Sequence, residues 1–418
     1  MSPPTARQDP LGAKLAEAAR ERAAGPADDA LFSAALPRML GELQLGLREH
    51  GLEGWLLYDH RGQSPLVPRV LGFDAAGVRP EGRYFYWVPA REMPALLVHE
   101  ADAEGLPALP GDLLPYGSYA ELRQRLAKLL PSRGAVAMEH SPVAAVPDLS
   151  RVDAGTLELV RGASGDLEIR SSAALVNRFF GPWTEGDRAR HQRAQALLAA
   201  VRAGLVAQLA ERSVREGDLR QEAVAAMRRA GLIGPAPHIT FGPHTARRVH
   251  VPRGETDRAL AAGELVSIEL VGRLPDGPFA HLGLTAARAP TARLVEAFGA
   301  VLAAKARALE LLAERFATGA RTLGYEVDRA MKEVLPEGGR PLGRGGHHLG
   351  FVPFSSEAAT FDDTEIHDVR ELVEGTAWSL HPTRVVEGLA FRSRASVRWD
   401  GRSLEVLDAG QFEIVELP

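Results

Sequence analysis

The chain has no cysteine among its 418 residues. That removes disulfides, thiolate nucleophiles and sulfur-ligated zinc or iron, so any metal must be held by histidine, aspartate, glutamate or water. Long apolar runs are missing too, and no stretch reaches the roughly 18 consecutive apolar residues of a membrane span. The opening MSPPTARQDPLGAK lacks the apolar core of a signal peptide, which makes the cytoplasm the expected location. No basic stretch continues for a whole face, and the formal charge is −5, so nucleic acid is not an expected partner. What remains is ordinary composition, 45% hydrophobic and 25% charged, in a chain long enough for two domains with their own cores.

Residues 1–30, rich in Ala, Pro, Asp and Arg, read as an N-terminal arm broken at Gly25-Pro26. From 31 to 175 the pattern is α/β: a helix over 36–50, strands over 54–58, 83–88 and 95–99, an amphipathic helix over 119–130 and a strand over 135–138. A second domain, 176–418, follows. Thr184 and Asp187 form a capping box that opens a long helix with Leu198, Val201, Leu205 and Leu209 in one stripe. Asp218 and Gln221 mark a second helix ending near Gly231, and residues 238–251, with His238, His244 and His250, read as loop. Strands over 264–271 and 279–285 flank a turn at Pro275-Asp276-Gly277. Helices are expected over 292–316 and 325–334, then strands and turns to Val415. This second domain is mixed α+β.

In the first of these strands Ser267, Glu269 and Val271 share one face, opposite Val266, Ile268 and Leu270. A carboxylate in so apolar a strand needs a cation, a proton or several donors. A salt bridge and a metal satisfy that need equally well. His281 falls on the face of Phe279 and Gly283, where a hydrogen-bonded core histidine is the plainer reading. His347 and His348 lie between Gly345-Gly346 and Leu349-Gly350; the glycines permit close backbone approach, and a glycine turn with exposed histidines is the bland alternative. His381 precedes Pro382 at the end of an apolar run. Arg392, Arg394, Ser396 and Arg398 alternate as one face of a strand, either solvated or reaching a pocket to clamp a carboxylate.

Together these segments resemble the creatinase / aminopeptidase P / prolidase superfamily (M24). The resemblance implies an α+β pita-bread catalytic domain preceded by a smaller α/β creatinase-like N-terminal domain. It runs through LEGWLLYDHR at 52–61, the helix from Thr184 and the 215–219 link. GELVSIE at 263–269 is similar to the strand carrying the first metal aspartate, and FAHLGLT at 279–285 to the one carrying the second. GHHLG at 346–350 resembles the Gly-His-Gly-Ile-Gly segment with the metal histidine, and GTAWSLHP at 375–382 the segment with a metal glutamate. The resemblance thus implies Glu269, His281, His347 and His381 as metal ligands, and His250 as the substrate-contacting histidine. The last bridging glutamate falls near 392–394, where no acid stands, and the family's second histidine falls near Phe354-Ser355-Ser356.

The family holds two divalent ions with four carboxylates and one histidine. Here one acid offers about −1 against about +4, so a single ion on three imidazoles and Glu269 is expected, as Fe(II), Mn(II) or Zn(II). The first reading is a mononuclear hydrolase of C–N bonds in a small, carboxylate-bearing amino-acid or peptide-like substrate. His250 or His348 would serve in acid–base work and Arg392 or Arg394 in holding the carboxylate. The same shell suits an Fe(II) oxygenase or a lyase, and a catalytically inactive peptide-binding module is the third reading. The resemblance also implies a homodimer.

Overall fold

The computed structural model describes residues 35–417, except 75, 212–213 and 355–356. The arm expected over 1–30 lies outside the described residues. The described chain divides into two compact units, one ending at Phe180 and one running from Gly181.

The first unit is a six-stranded mixed sheet in the order Asp112–Tyr116, Ala95–His99, Arg83–Pro89, Gly54–His60, Arg133–Met138, Asp166–Ser171. Its central strand shows why the sequence lacks clean alternation there: both faces are covered. Trp55 and Leu57 pack with Leu43, Leu47 and Val176 from the helices Ala35–Glu49 and Ala173–Phe180. Leu56 and Tyr58 pack on the other side with Leu122, Leu126 and Val160 from the helices Tyr119–Leu129 and Ala154–Ala163.

Among the described residues, the second unit holds three small sheets. One runs Val415–Leu417, Ala280–Arg288, Leu265–Gly272, His238–Phe241, and a second runs Gly346–His348, Ala377–Leu380, Ala395–Trp399, Leu404–Asp408. The third joins Arg340–Pro341, Thr383–Val386 and Leu389–Arg392. Each four-stranded sheet gives one face to long helices. Val266, Ile268 and Leu270 pack with Leu198, Val201, Leu205 and Leu209 of the helix Glu185–Glu211. Trp378, Leu380, Ala395 and Val397 pack with Leu312, Phe316, Val327 and Met331 of the helices Ala292–Thr318 and Gly324–Glu333. The residues alternating with these apolar ones, Ser267 and Glu269 on one sheet and His347, Ser379 and Ser396 on the other, are buried without belonging to either core.

The capping box forms in both directions: the Thr184 amide donates to Asp187 Oδ2 at 2.9 Å and the Asp187 amide to Thr184 Oγ1 at 3.1 Å. Two sequence expectations change. Residues 238–251 are not all loop, because His238–Phe241 pairs antiparallel with Leu265–Gly272 and sets His238 opposite Glu269. The strand is only four residues long and is held by the burial of Ile239 and Phe241. The arginine row is not one strand. Arg392 pairs with Thr383 in one sheet and Ala395 with Leu380 in another, so the chain changes sheets between them and only Ser396 and Arg398 of the row lie in one strand.

Candidate active site

Glu269, His281, His347 and His381 come together in the second unit, and Arg394 joins them. Arg394 Nε donates to Glu269 Oε2, and His281 Nε2 lies 3.1 Å from the same oxygen. His281 Nδ1 is 3.4 Å from His347 Nε2. The His347 and His381 rings are 4.9 Å apart, those of His281 and His381 6.4 Å. Phe354 stands edge-on to His281 and His347 at 5.8 and 5.3 Å.

The glycine opposite Glu269 in the ladder makes room for this. A Cβ at Gly283 would lie 3.0 and 3.1 Å from Arg394 Cγ and Cδ, and 3.1 Å from Glu269 Oε1. Glycine there lets the guanidinium stem lie flat across the strand.

Charge in the pocket is unusual. Burial pushes the Glu269 carboxyl up, but Arg394 and the His281 N–H outweigh it and hold the group down at about 2. Burial, with Arg394 beside it, lowers His281 to about 4. Burial also drives His347 and His381 well below the ordinary imidazole range, with neighbouring imidazole and arginine charge adding to it. Near neutrality the pocket therefore holds one ion pair and three uncharged rings. Among the described residues, the buried polar atoms without a partner include Glu269 Oε1, Arg394 Nη1 and His347 Nδ1 of this cluster.

The other expected site residues lie differently. Arg392 donates to Ser267 Oγ at 3.2 Å and to the Thr245 carbonyl at 2.7 Å, so it braces the pocket wall. His348 is on the opposite face of its strand from His347, its Nε2 3.2 Å from the Gly181 carbonyl, outside this cluster. His250 Nε2 is 2.9 Å from Glu216 Oε2. The same carboxylate, completely buried, meets His244 Nδ1 at 2.9 Å and accepts from the Phe241 amide at 2.5 Å. Sequence reading did not single out Glu216 and saw His244 only as a loop histidine. Glu216 opens the helix Glu216–Arg229 like any first-turn acid, and only its burial sets it apart.

Two dications do not suit the Glu269 pocket, because its one carboxylate already carries a guanidinium. A single ion suits the imidazoles better. The 3.4 Å between His281 Nδ1 and His347 Nε2 is about the spacing of ligands bonded at roughly 2.0–2.1 Å to a tetrahedral ion. His381 Nδ1 faces the Ser379 carbonyl at 3.3 Å, an arrangement that orients the ring and leaves Nε2 as the nitrogen to meet an ion. Among the described residues, Glu216, His244 and His250 are the group whose donor atoms, one from each, already lie within 4.8 Å of one another.

Solved structures share the fold. The chain superposes on dipeptidase PepE from Mycobacterium ulcerans with a TM-score of 0.69 at 17% identity, over 94% of this chain and 100% of that one. A prolidase from Thermococcus sibiricus matches with a TM-score of 0.66 at 13% identity, over 91% of this chain and 99% of that one. An Xaa-Pro dipeptidase from Bacillus anthracis gives 0.65 at 15% identity, over 91% and 99%. No curated protein matches the chain. The model of metallopeptidase family M24 matches residues 189–402, about half of the chain, and that span holds every pocket residue described above. The chain therefore belongs to metallopeptidase family M24, a family of metal-dependent hydrolases built on the pita-bread fold.

Proposed function

We propose that the chain hydrolyses a C–N bond in a small amino-acid or peptide-like substrate bearing a carboxylate, with one divalent ion in the Glu269 pocket instead of two. The observation that carries this reading is the buried Arg394–Glu269 ion pair. It puts a fixed positive charge where a second cation would have to sit, and leaves three neutral imidazoles to serve a first. An ion held by His281, His347 and His381 would supply a water acidified for attack near neutral pH.

The chain's own residues would do the rest. Arg394 keeps Nη1 unpartnered in the pocket, a donor suited to a substrate carboxylate. Arg392, braced by Ser267 and Thr245, adds positive charge to the same wall without moving. Phe354, edge-on to two of the imidazoles, limits the pocket to small groups and keeps bulk water from the rings. The names of the structural relatives, dipeptidases and a prolidase, point to the same substrate class. Family membership favours hydrolysis over oxygenase or lyase chemistry.

The test uses chelator-treated protein reloaded with Zn(II) or Mn(II) and assayed for amine release from dipeptides and N-acyl amino acids. Hydrolysis should need the ion, vanish in His347→Ala, and weaken through KM when the substrate's free carboxylate is replaced by an amide. Turnover that survives His347→Ala would refute the reading. The same ion pair also favours a second reading, a module that binds small carboxylates without turnover. Saturable binding with no amine released from any substrate would establish that instead.

A further inference from the structure

We propose that Glu216, His244 and His250 form a zinc-type divalent-metal site, separate from the Glu269 pocket, and that an ion there clamps the 242–250 loop to the helix Glu216–Arg229. Two imidazoles and a carboxylate with one open position are a donor set that tetrahedral zinc accepts. Their donor atoms lie within 4.8 Å of one another, with both imidazole nitrogens 2.9 Å from Glu216 Oε2 and the two rings 4.2 Å apart. Ligands at roughly 2.0–2.1 Å from a tetrahedral ion stand about 3.3 Å from one another, so small shifts suffice.

Charge supports an ion independently of this geometry. Glu216 is completely buried, and a buried carboxylate needs a cation, a proton or several donors. Besides the Phe241 amide, Glu216 has among the described residues only the two imidazoles, which an ion would turn into shared ligands. Glu269 has Arg394 for this purpose. Among the described residues no lysine or arginine pairs with Glu216, whose ion-pair partners are the two histidines alone. His244 is the least buried of the three and gives an ion a way in.

The loop also reaches the pocket. Thr245, next to His244, accepts from Arg392 through its carbonyl at 2.7 Å and from the Ala390 amide through its hydroxyl at 2.9 Å. An ion that fixes the loop therefore fixes Arg392. The effect on substrate affinity rests on the proposed function; the binding of the ion does not.

The test is isothermal titration of chelator-treated full-length protein with zinc chloride, comparing wild type with Glu216→Gln, His244→Ala and His347→Ala. His244→Ala and Glu216→Gln should each lose one ion per chain or bind it at least about 100-fold more weakly, because even second-shell losses cost about 10–100-fold. His347→Ala should keep that ion. Zinc should raise the melting temperature of wild type and His347→Ala but not of His244→Ala, the variant least disturbing to the core. If His244→Ala takes up zinc with wild-type stoichiometry and affinity, the triad is a hydrogen-bonded cluster and the proposal is wrong. Zinc uptake lost in His244→Ala and untouched in His347→Ala would support this site while sinking the single-ion reading of the Glu269 pocket.

Discussion

Removing the guanidinium of Arg394 should be among the most damaging single changes in the second unit. In Arg394→Met the stem is kept, but Glu269 becomes an uncompensated buried charge, which costs about 3–5 kcal/mol in comparable pairs. The pH linkage of Glu269, in which Arg394, His281 and Arg392 together outweigh burial, is of the same order. Glu269 is held at about 2 against an ordinary 4.5, and each pH unit of that difference is worth about 1.4 kcal/mol, or about 3 kcal/mol in all. Because the folded value is the lower one, this stabilisation is present in full above pH 4.5 and is lost as the pH falls towards 2. Urea unfolding at pH 7 should show Arg394→Met destabilised by about 3 kcal/mol. The double variant Arg394→Met/Glu269→Gln should recover much of that, since a neutral pair has no charge to strand. A loss under about 1 kcal/mol in the single variant, or simple additivity in the double, would refute the claim that the pair is buried and mutually required.

Acid should destabilise the protein well before Glu269 titrates. Burial lowers His191 to about 3 and His238 and His281 to about 4, so the unfolded chain takes up protons that the folded chain refuses. Stability should therefore fall as the pH drops below 6.5, by up to about 1.4 kcal/mol per pH unit for each group. His191→Phe should flatten that slope in pH-dependent urea titrations while leaving pH 7 stability unchanged or higher, because neither His191 nitrogen has a partner and its ring packs on Trp183. Gly283→Ala should push Arg394 off Glu269 and cost about 1–3 kcal/mol, read by thermal unfolding, with a raised KM for carboxylate substrates. Leu205→Ala, in the fully buried stripe of the helix Glu185–Glu211, should cost about 2–5 kcal/mol while zinc stoichiometry stays unchanged.

Where the sequence was legible, the physics was local. The Thr184–Asp187 capping box, the Leu198–Leu209 stripe and the alternation around Glu269 each declare an element within a few residues, and each is found. The demand of Glu269 for a partner was also readable, but the partner was not. A salt bridge and a metal answer the same electrostatic need, and only the approach of Arg394 from 125 residues away shows that a guanidinium meets it. The arginine row misled because alternation with period two continues across the change of sheet between Arg392 and Ala395. Glu216 and His244, 28 residues apart, carry no local pattern and meet only through the packing of a loop on a helix.

The most direct test of the single-ion pocket is anomalous diffraction at the zinc edge from crystals grown with zinc chloride. One peak should appear beside His281 and His347, with Arg394 still on Glu269 and no second peak within about 4 Å of the first. Two peaks about 3.5–4 Å apart with Arg394 swung off Glu269, or no peak in the pocket at all, would contradict it.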